Sequence, residues 1–248
     1  MNDLFRSHLC KFILVFFNDI LIYSTTWTDH HLHLCTFSKF YRQSIYLSKK
    51  SHFRVSQVNY LCHIISSEGV AIDPTKIQSI FDWPTPTTVK EVRDFLGLAG
   101  YYHKFIRGFG GIVTPLDRLL TKDGFYWTTE ADEAFHCLKQ ALTSPPILKL
   151  LDFTQPFVIE YDACGVGFSA ILTQHDRPIT YFSQALKGSA LTLSTYDKEM
   201  LPTVKAIPKW HPYFMGKHFI VRTDQKSLKF LFEQRISTPT QAHWLLWG

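Results

Sequence analysis

Charge is scarce in this chain. Asp, Glu, Lys and Arg make up 19% of its 248 residues, against roughly 25% in ordinary soluble domains. Long apolar runs are missing as well. The longest uninterrupted one is Phe12–Phe17, far short of the roughly 20 residues that span a bilayer. Asn18 and Asp19 break the apolar stretch 12–23, and no small-residue cleavage pattern follows, which argues against a secretory leader. The five cysteines, at 10, 35, 62, 137 and 164, are odd in number and widely spaced, with no CxxC pair. That argues against a disulfide framework or a Cys-rich zinc site and favours a reducing compartment. Repeats and low-complexity tracts are absent. The expected location is therefore intracellular, cytoplasmic or nuclear, with no membrane contact.

What is present is apolar surface. Hydrophobic residues reach 46%, and Phe alone supplies 21 positions. That is enough for a real core and excludes wholesale disorder. At roughly 150 residues per domain the length allows one or two domains. The net charge of +5 permits a polyanionic partner without requiring one.

The pattern along the chain predicts a mixed α/β protein. Residues 12–23 read as two short strands about an Asn18-Asp19 turn. A helix is expected over 28–45, with Leu32, Phe37, Phe40 and Ile45 as its apolar positions. Residues 58–72 read as a second hairpin, Val58–Ile65 and Val70–Ile72, turning at 66–69. Asp73 then caps a helix that has Pro74 at its first position. The stretch from Trp83 to Thr87 breaks the chain. Thr88 and Glu91 form a capping box ahead of Val92, Phe95 and Leu96. Helical patterns recur at 113–121 and 130–143, and Pro145-Pro146 closes them. Strands follow at 157–162, 168–173 and 179–182, then a helix from about Thr195, a strand at 218–222 and a helix from Gln225. This second half has the order βββαβα.

Few residues offer chemistry. A carboxylate held at a tight hairpin tip can meet a metal, and Asp19 sits in such a place, although an Asn-Asp pair also makes a plain turn. Asp162 ends the first strand of the α/β half, Glu199 lies early in its helix and Asp224 follows its fourth strand. Three carboxylates so placed can converge on divalent metal. Each also has a local explanation: a strand-end charge, an acid near a helix start, or the N-cap of the helix at Gln225. His30, His31, His33 and Cys35 match no zinc-finger spacing and suit a wet helix better.

Seven stretches carry a resemblance. They are Phe16-Phe17-Asn18-Asp19-Ile20-Leu21-Ile22-Tyr23-Ser24, Val58 to Ser66, Gly69 to Pro74, Trp83-Pro84-Thr85-Pro86, Phe95 to Tyr102, Leu193 to Glu199, and Thr223 to Leu228. In this order they resemble the Pol polyprotein of gypsy-type long-terminal-repeat retrotransposons. The resemblance implies the rear of a reverse transcriptase palm over 1–75, a helical thumb or connection-like region over 76–148, and an incomplete ribonuclease H-like domain over 149–248. It implies Mg²⁺ or Mn²⁺ held by Asp162, Glu199 and Asp224, and an RNA–DNA hybrid or template-primer as partner. The ancestral chemistry is DNA synthesis and cleavage of RNA in hybrids.

The departures are equally specific. The family hairpin carries two aspartates, and the first, a metal ligand, is Asn18 here. The upstream palm and the last ribonuclease H helix are expected to be missing. Pro202 and Pro208 fall inside the helix of Glu199, where each interior proline costs about 3 kcal/mol, so a kink or interruption is expected. The stripe holding this helix is expected at Tyr196, Met200, Val204 and Ile207. Together these features predict an inactive polymerase and a weak or absent nuclease. The alternative is a non-catalytic nucleic-acid-binding module, or a decayed structural or interaction protein.

Overall fold

The computed structural model describes residues 8, 11–16, 19–41, 52–121, 125–164, 167–214 and 218–222. The chain divides into two compact units, Met1–Ser67 and Glu68–Gly248.

In the first unit β1 (Ile13–Phe16) and β2 (Asp19–Ile22) pair antiparallel, with Ile13 opposite Ile22 and Phe16 opposite Asp19. Asp19 is thus the first strand residue and lies outside the turn expected for it. The helix α1 spans Trp27–Tyr41. Thr26 starts it, accepting from the Asp29 amide at 3.1 Å and donating to the Asp29 carboxylate at 2.7 Å. Of the expected apolar positions, Phe37 packs against Phe12 and Ile13, but Leu32 is 62% exposed. The side chain of Phe40, and Ile45 entirely, lie outside the described residues.

The expected single strand 58–65 is in fact a tight hairpin of β3 (Gln57–Tyr60) and β4 (His63–Ser66). Leu61 and Cys62 turn it, with φ of 50° and 58°. Both turn residues lie in the left-handed region, as in the hairpin turns whose twist matches the strands. No Gly, Asn or Asp marks the place, so the turn was not legible in the sequence.

The second unit opens with β5 (Gly69–Ile72), bridged to Leu148 by Val70 through two backbone hydrogen bonds of 2.8 and 2.9 Å. Gly69 is required here: at φ 142°, a Cβ would stand 2.1 Å from the Leu148 carbonyl oxygen. Then come α2 (Pro74–Phe81), capped by Asp73, and α3 (Val89–Tyr101), capped by Thr88. A 3₁₀ turn (His103–Phe105), α4 (Phe109–Ile112), α5 (Thr114–Arg118) and α6 (Thr129–Thr143) complete the helical section. Val92 and Phe95 of α3 are buried against Phe135 and Leu138 of α6, with the Phe95 and Phe135 rings 4.7 Å apart. The caps at Asp73 and Thr88 and the helix at 130–143 hold as expected, whereas the helix expected over 113–121 is confined to Thr114–Arg118, and Glu91 accepts from Thr87.

The sheet has the strand order β8-β7-β6-β9, from β6 (Phe157–Cys164), β7 (Gly167–Gln174), β8 (Arg177–Ala185) and β9 (Phe219–Arg222). The first three form an antiparallel meander, and β9 runs parallel to β6. The crossover to β9 is α7 (Thr195–Phe214). Phe157 and Ile159 of β6 pack with Ala206, Trp210 and Phe214 of α7.

The expected break in α7 does not occur. One helix of 20 residues runs through Pro202, Pro208 and Pro212. Met200, Ala206, Trp210 and Phe214 are at most 4% exposed. Burying each large apolar side chain contributes about 1.5–3 kcal/mol. Together these burials are of the same order as the proline costs, so tertiary packing offsets the unfavourable propensity. The buried stripe also differs from expectation. Met200 belongs to it, Val204 and Ile207 are half-buried, and Ala206, Trp210 and Phe214 form its deepest part.

Candidate functional site

The α/β half places two of the three candidate carboxylates on elements that touch. Asp162 stands in β6, an interior strand, directly opposite Ser169 of β7. Glu199 is the fifth residue of α7, and α7 packs on β6 and β7.

The start of α7 is set by Ser194. Its hydroxyl accepts from the Asp197 amide at 3.1 Å and donates to the Asp197 carboxylate at 2.7 Å, while its carbonyl accepts from the Lys198 amide at 2.9 Å. This reciprocal cap chooses Ser194 over Thr195 and fixes where Glu199 falls along the helix. Lys209, 4.4 Å from the Phe182 ring of β8, fastens the middle of the helix by a cation–π contact. The side chains of Asp162 and Glu199, and all of Asp224, lie outside the described residues.

The parallel pair adds one more relationship. Glu160 of β6 stands opposite Arg222 of β9. Asp162 and Asp224 each come two residues beyond this couple in the sequence. Arg222 binds both Glu160, at 2.6 Å, and Asp176, at 3.3 Å. Nothing in the sequence pattern pointed to this ion-pair group, because its members are 46 and 62 residues apart.

At the hairpin of the first unit, Asn18 lies outside the described residues and Asp19 is exposed. Burial, and secondly the negative charge of Asp19, raise the Tyr60 hydroxyl above its ordinary pKa. Asp19 therefore acts within range of β3. The histidines of α1 divide between two partners. His33 lies 2.7 Å and His30 3.3 Å from the Ser24 hydroxyl, while His31 neighbours Cys35 at 3.8 Å. Among the described residues no group of three or more His, Cys, Asp or Glu side chains is placed to hold a metal ion. Nor is any described helix long and apolar enough to cross a membrane.

This fold has clear relatives. Residues 127–221 match the RNase H-like domain found in reverse transcriptase. The chain is 35% identical over 235 residues to the retrovirus-related Pol polyprotein from transposon 297 of Drosophila melanogaster, covering 93% of this chain and 22% of that polyprotein. To the Pol polyprotein from transposon gypsy of the same organism it is 32% identical, covering 98% and 25%. To the transposon Tf2-3 polyprotein of Schizosaccharomyces pombe it is also 32% identical, covering 87% and 17%. The chain thus spans a quarter or less of the length of these relatives.

Among solved structures, the foamy viral protease-reverse transcriptase dRH in complex with double-stranded DNA superposes with a TM-score of 0.86 at 23% identity, over 99% of this chain and 45% of that one. The foamy viral protease-reverse transcriptase in complex with an RNA/DNA hybrid gives 0.83, over 99% and 34%. These likenesses show the fold. The chain carries an RNase H-like domain of the kind found in reverse transcriptase. More closely, it belongs with the Pol polyproteins of gypsy-type retrotransposons, as its motifs implied.

Proposed function

We propose that the α/β half of this chain is a metal-dependent ribonuclease H acting on RNA–DNA hybrids, and that the hairpin at 18–19 does not support DNA synthesis. The observation that carries the first part is the pairing of β6 with β9 under a continuous α7. Asp162 and Asp224 follow the paired Glu160 and Arg222 by the same two residues in the sequence, and Glu199 belongs to the helix packed on β6.

Three carboxylates form an all-oxygen donor set, which suits Mg²⁺ or Mn²⁺. Asp162, Glu199 and Asp224 would hold the metal, which when bound supplies Lewis-acid stabilisation of the leaving oxygen. The chain's own part is to carry Asp162 on β6 and Glu199 on α7, since such sites tolerate displacements of only about 0.5 Å. The Ser194 cap and the Lys209–Phe182 contact serve that purpose for Glu199. Glu199 and the sheet-packed residues Trp210 and Phe214 belong to one uninterrupted helix.

For synthesis the position is different. Asn18 offers a neutral amide where the family's first hairpin aspartate gives a charged oxygen, leaving Asp19 alone at the hairpin. The double-stranded DNA and RNA/DNA hybrid in the foamy viral complexes support a nucleic-acid partner for this chain.

The test is incubation of a labelled RNA–DNA hybrid with the purified chain in Mg²⁺ or Mn²⁺. RNA-strand cleavage that disappears in Asp162→Asn is expected. Cleavage that survives the substitution would remove the site from these residues. Salt-sensitive hybrid binding without cleavage would instead favour a non-catalytic binding module.

A further inference from the structure

A cleft of about 470 Å³ lies where α4 and α5 meet the end of β8 and the side of α7. Its lining includes Gly110, Asp117, Phe168, Ser183, Lys187 and Lys205. The close approach of α4 to β8 shapes it. The Gly110 amide donates to the Ser183 hydroxyl at 2.8 Å, and a Cβ on Gly110 would stand 2.8 Å from the Gln184 Cα and 2.9 Å from the Ala185 nitrogen. No larger residue fits there without moving the backbone.

The cleft holds two cations and one acid. Lys187 bridges to Asp117 at 3.3 Å, with side chains 72% and 39% exposed. Lys205 is exposed on α7. An ion pair so open to water contributes little, about 0–1 kcal/mol, so Lys187 can exchange its carboxylate for another anion at small cost. Lys205 follows Glu199 by six residues in one helix, which is about 9 Å along its axis. An anionic strand lying on Lys205 would therefore run beside the helix that carries the candidate nuclease glutamate.

We infer that this cleft is a phosphodiester-backbone site, in which Lys187 and Lys205 hold phosphates of a nucleic acid and Asp117 competes for Lys187. The inference rests on the nucleic-acid reading above, and it assigns the contact to a seam between the helical section and the sheet. Such contacts position a duplex without reading its sequence.

The experiment is fluorescence anisotropy of a labelled RNA–DNA hybrid with the full chain, without divalent metal, over a series of NaCl concentrations. Lys187→Ala and Lys205→Ala are each expected to weaken binding and to lower the slope of log K against log salt by about one. Asp117→Asn is expected to tighten binding at low salt, roughly two- to fivefold, because it frees Lys187. These side chains lie at the surface, and circular dichroism checks that the variants fold. Unchanged slopes in both lysine variants, or weaker binding by Asp117→Asn, would overturn the inference. So would failure of the unaltered chain to bind the hybrid. Binding with the expected sensitivities but no cleavage when Mg²⁺ is restored would sink the nuclease reading alone and leave the cleft standing.

Discussion

Arg222 donates from Nη1 to Glu160 Oε1 at 2.6 Å, joining the last described residue of β9 to the interior strand β6. The pair sits on the parallel register that sets β9 beside β6. It also reaches Asp176, in the turn between β7 and β8. One cation therefore ties β9 to β6 and to the β7–β8 turn.

The first prediction is that this tie contributes little energy. The Arg222 side chain is 58% exposed, and exposed pairs are worth about 0.2–1 kcal/mol. Arg222→Met should lower stability by no more than about 1 kcal/mol, measured by urea unfolding. A much larger loss would mean that the pair holds the register of β9.

A second prediction concerns the prolines of α7. Pro208 is exposed and Pro202 is buried. Pro208→Ala should stabilise the protein by up to about 3 kcal/mol, because it restores a helix donor and removes a clash without losing packing. Pro202→Ala should gain less, since it also gives up buried contact. Equal midpoints for wild type and Pro208→Ala in chemical denaturation would contradict a continuous helix.

The turn of β3 and β4 supports a third. Cys62 is held at φ 58°, where an L side chain costs about 1–2 kcal/mol and glycine almost nothing. Cys62→Gly should raise the stability of the first unit by about 1 kcal/mol, whereas Cys62→Val should lower it. A thermal melt that ranks valine above glycine would refute the turn conformation.

The fourth is a pH dependence. Hydrogen bonds from the Thr87 backbone and hydroxyl hold the Glu91 carboxyl below its ordinary pKa. The Thr154 hydroxyl and amide do the same for Asp152. A carboxylate with a lowered folded pKa stabilises the fold above its unfolded pKa and loses that contribution as pH falls through the folded value. Urea midpoints should therefore drop as pH is taken below about 4. Glu91→Gln should flatten that part of the profile. An identical acid limb in the variant would show that Glu91 is not linked to folding.

Much of this protein was determined by short-range chemistry. Asp73 before Pro74, Thr88 before Glu91, and the apolar spacing of Val92 and Phe95 announce themselves, because caps and side-chain periods act over a few residues. The motif series, from the hairpin at 18–19 to Thr223-Asp224, was also legible, and it led to the family. Tertiary structure decided the rest. Leu61-Cys62 turns without a turn residue, because the paired strands on either side impose the left-handed backbone. The helix α7 survives its prolines because Met200, Trp210 and Phe214 are buried on the sheet, an energy that no local window contains. The seam of Gly110 with Ser183, and the cations gathered at its cleft, join residues some 70 positions apart. Only the packing of α4 against β8 brings them together.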